Sequence, residues 1–187
     1  YLVLGAGFGI LLRTRGYGLG WALAMSAFIY AGSMQYVAID LLTGGASLLT
    51  TAVTTLLVNA RHLFYGISML ERYRAAGKYA PYLIFSLTDE TYSLVAAREN
   101  LTGAECFRIS LLDQLYWVLG TALGSLAGAY LDFNTTGIDF SLTALFLTVF
   151  TEQWLETKDH APALIGLGVS IVCRLLFGAD SFLLPTM

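Results

Sequence analysis

Charge is what this sequence has least of. Of its 187 residues, 12% are Asp, Glu, Lys or Arg, against roughly 25% in soluble domains, while 57% are hydrophobic. Ten Lys plus Arg and 13 Asp plus Glu are too few to clothe the surface of a soluble fold of this size. Basic clusters are equally scarce. Nothing is denser than Arg72, Arg74 and Lys78, and the net charge is -3, so nucleic acid is not an expected partner. Two cysteines, Cys106 and Cys173, give neither a disulfide framework nor metal-type spacing. With two histidines and no HExxH or GxSxG signature, no metal, cofactor or catalytic constellation is expected, and the chain does not read as an enzyme.

What the sequence has is uncharged length. Residues 16–39, 41–60 and 114–131 carry no charge, each run is near the roughly 20 residues that cross hydrocarbon, and the mean hydropathy is +0.68. The expected fold class is an all-α polytopic membrane protein with about six spanning helices. Residues 1–12 read as the last half of a span ending at Arg13 and Arg15; the chain does not begin with Met and reads as truncated there. A second span covers 17–40, interrupted at Ala31-Gly32-Ser33. A third covers about 46–70 and ends in the basic loop 72–78. Between 79 and 98, Thr88-Asp89-Glu90-Thr91 cuts the apolar stretch into pieces too short to span. Thr88 resembles a helix N-cap with two acids behind it, so this segment reads as broken or re-entrant. Three further spans are expected at 107–131, about 139–156 and 161–179.

These last three spans repeat the first three. Tyr1, Val3, Leu4, Gly5, Gly9 and Leu11 recur as Tyr116, Val118, Leu119, Gly120, Gly124 and Leu126. Weaker matches link Gln35-Tyr36 to Gln153-Trp154, and the run from Arg61 to the run from Arg174. The organisation is therefore read as one transmembrane domain holding two three-helix repeats, about 1–75 and about 107–180. Arg13 and Arg15 follow the first helix, whereas the matching loop holds Asp132 and Asp139 and no cation. Since cytoplasmic loops attract cations, the two copies read as inverted.

Chemistry is expected where charge lies deep. Arg61 stands about ten residues before Glu71, roughly 15 Å along a helix and so near the middle of an approximately 30 Å core. A guanidinium there costs about 2.5 to 3.5 kcal/mol and should face protein, substrate or a wet cavity. It reads either as a substrate or coupling residue or as half of a structural pair with Asp89 or Glu90. Those two acids point about 100° apart on a helix, so one is functional and the other a cap. His62 is a proton relay or a helix-interface histidine, and His160 is solvated. Glu152 and Gln153 sit at an interface or buried, and Arg174 is a deep cation or the partner of Glu152.

Three stretches, Tyr30-Ala-Gly-Ser-Met-Gln-Tyr36, Leu57-Val-Asn-Ala-Arg-His-Leu-Phe-Tyr-Gly66 and Leu87-Thr-Asp-Glu-Thr-Tyr92, occur in an order and separation that resemble the branched-chain amino-acid exporter large subunits of the AzlC/YgaZ type. Met34 departs from the small residue common there. The resemblance implies export of leucine, isoleucine, valine and analogues across the bacterial cytoplasmic membrane by a multi-pass protein, with a small AzlD-type membrane subunit as partner. A zwitterion needs a helix N-terminus or cation for its carboxylate and an acceptor for its ammonium. Gly32, Ser33 and Gln35 are expected at the carboxylate, with Asn59 and Arg61 completing or pairing that site. Asp89 or Glu90 is expected to hold the ammonium or a coupling proton, in an alternating-access carrier. A passive channel for small solutes is the alternative.

Overall fold

The computed structural model describes residues 1–98, 100–130, 137, 140–156 and 159–178, and nearly all of them are helical. They form two compact units, residues 1–139 and 140–187. In the first unit, α1 (Leu2–Thr14) is followed by α2 (Leu19–Ala24), which widens into a π turn at Met25–Ile29, and by α3 (Gly32–Thr43). Next come α4 (Leu48–Val58), α5 (Arg61–Ala75), α6 (Ala80–Phe85), α7 (Asp89–Ala96) and α8 (Gly103–Tyr130). The second unit holds α9 (Ser141–Glu156) and α10 (Ala161–Phe177). At its turn Trp154 stacks on His160 with centroids 4.1 Å apart.

The second and third expected spans are each broken inside. The π turn ends at Tyr30, whose φ of 43° lies in the left-handed region that a Cβ disfavours, so the chain cannot continue as helix. Along a straight helix Ser26 and Gln35 would lie about 13 Å apart. Instead Gln35 Nε2 donates to Ser26 Oγ at 3.2 Å, so segment 19–43 turns back at Tyr30 and Ala31. The third expected span breaks at Asn59 and Ala60, where short-range bonds replace the helical ladder, among them His62 N to Asn59 O. In consequence no described helix is long and apolar enough to cross a membrane. The 28 residues of α8 come closest in length, but Glu105, Arg108 and Asp113 occupy its first half.

Segment 77–97 also turns back. Its second arm runs beside α5 in the same direction: Asp89 meets Arg61, Tyr92 stacks on Tyr65 with centroids 4.3 Å apart, and the Val95 carbonyl accepts from Arg72. Met69, Tyr73, Ala76, Leu83, Leu87, Val95 and Cys106 then form a shared apolar core along α5, with Ala76 at its C-terminal end. Both ends of the segment therefore sit there, and its tip, Ser86–Thr88, points toward the start of α5. At that tip Thr88 is the N-cap of α7, as its sequence suggests, and Thr91 closes a capping box.

The closest packing in the first unit joins α1 to α8. A Cβ on Gly5 would come within 2.6 Å of the Trp117 carbonyl, and one on Gly9 would overlap that of Thr121. One on Gly120 would overlap the Leu2 carbonyl, and one on Gly124 that of Ala6. Paired glycines four apart on both helices are what lets two backbones touch. The contacts are also reciprocal in the repeat register, since Gly5 meets Trp117 as Gly120 meets Leu2. Gly128 lies against Ile10 and Arg13, so the two helices run parallel. That relation is opposite to the antiparallel one that inverted copies would give these helices. The inverted reading rested on very few loop cations and on Asp132 and Asp139, which lie outside the described residues.

Beside the apolar core, polar side chains are buried while large apolar ones lie on the surface. Phe28, Leu48, Leu49, Leu63, Phe64 and Ile67 face outward, and α4 buries no residue at all, whereas Ser26, Gln35, Thr88, Thr91, Ser110 and Thr121 are fully or almost fully buried. Such a surface suits an apolar solvent.

Candidate functional site

The two bent segments and the break between α4 and α5 bring three helix starts together: Gly32 on α3, Arg61 on α5 and Asp89 on α7. Arg61 joins them. Its Nε and Nη2 donate to Asp89 Oδ1 and Oδ2 at 2.7 and 2.8 Å, Nη2 also donates to Ser33 Oγ at 2.6 Å, and Nη1 donates to the Val58 carbonyl at 2.7 Å. A planar fork is the group that can satisfy a carboxylate bidentately while reaching two further acceptors. The carbonyl it takes is the last of α4, one of those a helix end leaves without an internal partner. The pair is not sealed, since Arg61 and Asp89 keep 27% and 24% of their side-chain surface.

Around this clasp lie most of the other residues singled out in the sequence. Asn59 caps α4, its Oδ1 is buried without a partner among the described residues, and its carbonyl approaches His62 Nδ1 at 3.2 Å. Gln35 is fully buried; its Nε2 donates to Ser26 and its Oε1 has no partner among the described residues. Ser26 in turn donates to Thr121 Oγ1 at 2.9 Å, tying segment 19–43 to α8. Of the two adjacent acids, Asp89 is taken by Arg61, and Glu90 turns the other way, within electrostatic reach of Tyr1, Thr88 and Asp113.

Arg174 lies on the exposed face of the last turn of α10, in the second unit. Glu152 and Gln153 fall in α9, and their side chains lie outside the described residues.

The sequence reading missed a second polar group, on α8. Tyr30 donates its hydroxyl to Asp113 Oδ2 at 3.4 Å. Beside it Gln114 accepts from the Tyr82 hydroxyl at 2.6 Å and donates to the Ala27 carbonyl at 3.2 Å, bridging both bent segments. Asp113 lies within the expected span 107–131 but was not singled out, because it falls outside the three motifs and next to the uncharged run 114–131. Because α8 begins at Gly103, it lies about ten residues, roughly 15 Å, inside the helix, the same depth argument that singled out Arg61. At the outer end of α8, before the expected span, Thr102 and Glu105 form a capping box. Bonds from the Thr102 hydroxyl and amide hold the Glu105 carboxyl below its ordinary range.

Among the described residues no cluster of His, Cys, Asp and Glu could hold a metal ion. An ion-paired clasp at the meeting point of broken helices, inside a bundle that shows hydrocarbon side chains outward, defines a helical membrane protein with a polar interior. Comparison with known proteins gives the family. The model of the AzlC protein family matches residues 1–131, and the chain belongs to that family. It is 45% identical over 192 residues to the branched-chain amino acid transport protein AzlC of Bacillus subtilis, covering 100% of this chain and 75% of the relative. A membrane protein of Helicobacter pylori is 44% identical over 188 residues, with 98% and 82% covered. The inner membrane protein YgaZ of Escherichia coli is 29% identical over 179 residues, with 89% and 73% covered. No solved structure matches the chain.

Proposed function

We propose that the protein is a secondary transporter that exports leucine, isoleucine, valine and related amino acids across the bacterial cytoplasmic membrane, coupled to protons and working with a small AzlD-type membrane subunit. One observation carries this reading: Arg61 gathers the starts of α3, α5 and α7 at one polar point. Half-helix N-termini turned toward a common point offer partial positive charge to a carboxylate where neither water nor lipid can. In this scheme the chain crosses the membrane several times, α4 and α5 together form one crossing, and segment 77–97 enters and leaves on one side. The name of the Bacillus relative supports the substrate class.

The geometry changes the division of labour among the expected site residues. Arg61 and Asp89 hold each other, so they position the site rather than meet the substrate's charges. Gly32 and Ser33 remain at the carboxylate end. Glu90 is the acid left for the ammonium or the coupling proton, and access alternates as the tips of the two bent segments part and rejoin around the clasp.

The test is counterflow of labelled leucine and valine in proteoliposomes, with and without the small subunit, and with Arg61→Ala. Saturable exchange that the variant loses, and that an imposed pH gradient accelerates, is the expected result. Unsaturable flux without exchange would point to a channel instead. Unchanged exchange in Arg61→Ala would remove the clasp from the mechanism.

A further inference from the structure

Along α8 the two bent segments come from opposite ends. Gly18, where segment 19–43 leaves, lies beside Arg13, which packs on Gly128. The first arm then meets Thr121 through Ser26 and Asp113 through Tyr30. The second arm climbs back: Gly32 faces Trp117, and Tyr36 reaches the Leu4 carbonyl at 2.7 Å and the ring of Phe8. Segment 77–97 leaves from the other end, where Gly103 packs on Ala76. Its first arm passes Phe107, whose ring centroid is 5.1 Å from that of Tyr79 and 5.0 Å from that of Tyr82, and arrives at Gln114. Gly103 and Gly128 stand about 25 residues apart on one unbroken helix, roughly 37 Å, which is comparable with a hydrocarbon core of about 30 Å.

The segments meet at the level of Asp113 and Gln114. Gln114 spends one end of its amide on each of them: Oε1 accepts from the Tyr82 hydroxyl at 2.6 Å, and Nε2 donates to the Ala27 carbonyl at 3.2 Å. That carbonyl lies in the last turn before Tyr30, where helix carbonyls depend on outside donors. Close by, the ring of Tyr30 meets that of Phe85 with centroids 6.3 Å apart, tip against tip. Tyr30 has a φ of 43°, unfavourable for a residue with a Cβ, so its contacts hold this tip in place against its backbone preference.

We propose that segments 19–43 and 77–97 are two gates, one to each face of the membrane, and that Gln114 is the positioning residue that latches both shut. This rests on the transport reading above and adds to it which segment serves which face. Breaking the Tyr82 bond frees the gate on the side where α8 begins. Breaking the Ala27 bond frees the gate on the side where α8 ends. Because the two bonds use different atoms of one side chain, either gate can open while the other stays held, the condition that alternating access imposes.

The test reads the face to which each gate opens. Ser26 and Ser86 are fully buried, one on each segment, so Ser26→Cys and Ser86→Cys each place a thiol behind one gate, where it reacts only when the gate opens. Each variant is treated with a membrane-impermeant maleimide in right-side-out and in inside-out vesicles, and the parent, with Cys106 and Cys173 buried, gives the background. Tyr82→Phe should speed labelling of Ser86→Cys about fivefold, the size expected of one hydrogen bond, from one face only, and leave Ser26→Cys unchanged. Gln114→Leu should speed both, each from its own face, and those faces should be opposite. Tyr82→Phe removes a single hydroxyl and decides the matter even if Gln114→Leu fails to fold. Labelling of both thiols from the same face, equal acceleration of both by Tyr82→Phe, or no acceleration by either change would overturn the proposal. Leucine counterflow by the parent separates the two readings. If the parent exchanges leucine but the labelling is not sided in this way, the latch alone fails. If the parent exchanges no leucine, the transport reading fails and takes this one with it.

Discussion

The two bent segments meet at the same clasp but finish their tips differently. At Thr88 the tip of segment 77–97 satisfies itself: the Thr88 hydroxyl takes the Thr91 amide, and the Thr91 hydroxyl takes the Thr88 amide at 2.7 Å. At Tyr30 and Ala31 the tip of segment 19–43 has no such cap and carries a non-glycine residue at positive φ. One tip is complete within the chain; the other holds donors in reserve. The difference teaches which side of the site supports and which side receives, because burying donors without partners is unfavourable unless something periodically fills them.

Removing what joins the tips should have the largest effect. Arg61→Ala leaves Asp89 half-buried without its partner; a sealed pair would cost about 3 to 5 kcal/mol on such a change, and the partial exposure here reduces that to about 2 kcal/mol. Exchange should fall to background, and the apparent Tm in detergent should drop.

Making the tips alike is the next test. Ala31→Ser supplies the missing cap at a helix start, expected to stabilise by about 1 kcal/mol while competing with the substrate carboxylate. A higher apparent Tm together with weaker leucine binding is the expected pair of results, and tighter binding would sink the contrast. Thr88→Ala removes the completed cap and should cost about 1 kcal/mol of stability with leucine affinity nearly unchanged.

The smallest effect belongs to the third cap, at Thr102 and Glu105. Its carboxyl is held below the usual value of 4.5 when folded, so its contribution is complete above that range and is lost as pH falls through the depressed folded value. Acid denaturation curves of parent and Glu105→Gln should differ above pH 4.5 and converge below it. A difference that grows toward low pH would contradict the cap.

The same contrast explains how much could be read in advance. Arg61 and Asp89 stand out in sequence because each puts a charge into an apolar stretch, and Ser33 because it closes the small-residue interruption Ala31-Gly32-Ser33; the structure joins all three by direct bonds. The cap at Thr88 is legible for a local reason, a threonine followed by two acids. The break at Asn59 and the role of α8 were not legible. A helix interruption without Gly or Pro leaves little local trace. Asp113 lies inside the expected span 107–131, but no motif singles it out until the structure brings Tyr30 to it. That the indole of Trp117 is buried with no hydrogen-bond partner among the described residues depends on packing alone, and no pattern in one sequence encodes it.

The glycine seam between α1 and α8 has a consequence for assembly. α8 carries the same paired glycines as α1, with Trp117 and Thr121 where α1 has Leu2 and Ala6, so the backbone groove that receives α1 is also open to a second α8. A synthetic α8 segment in detergent micelles should therefore pair with itself, and an α1 segment should compete with that pairing. Within the cell membrane, such self-pairing is a rival to correct folding whenever a nascent chain exposes α8 before α1 has docked.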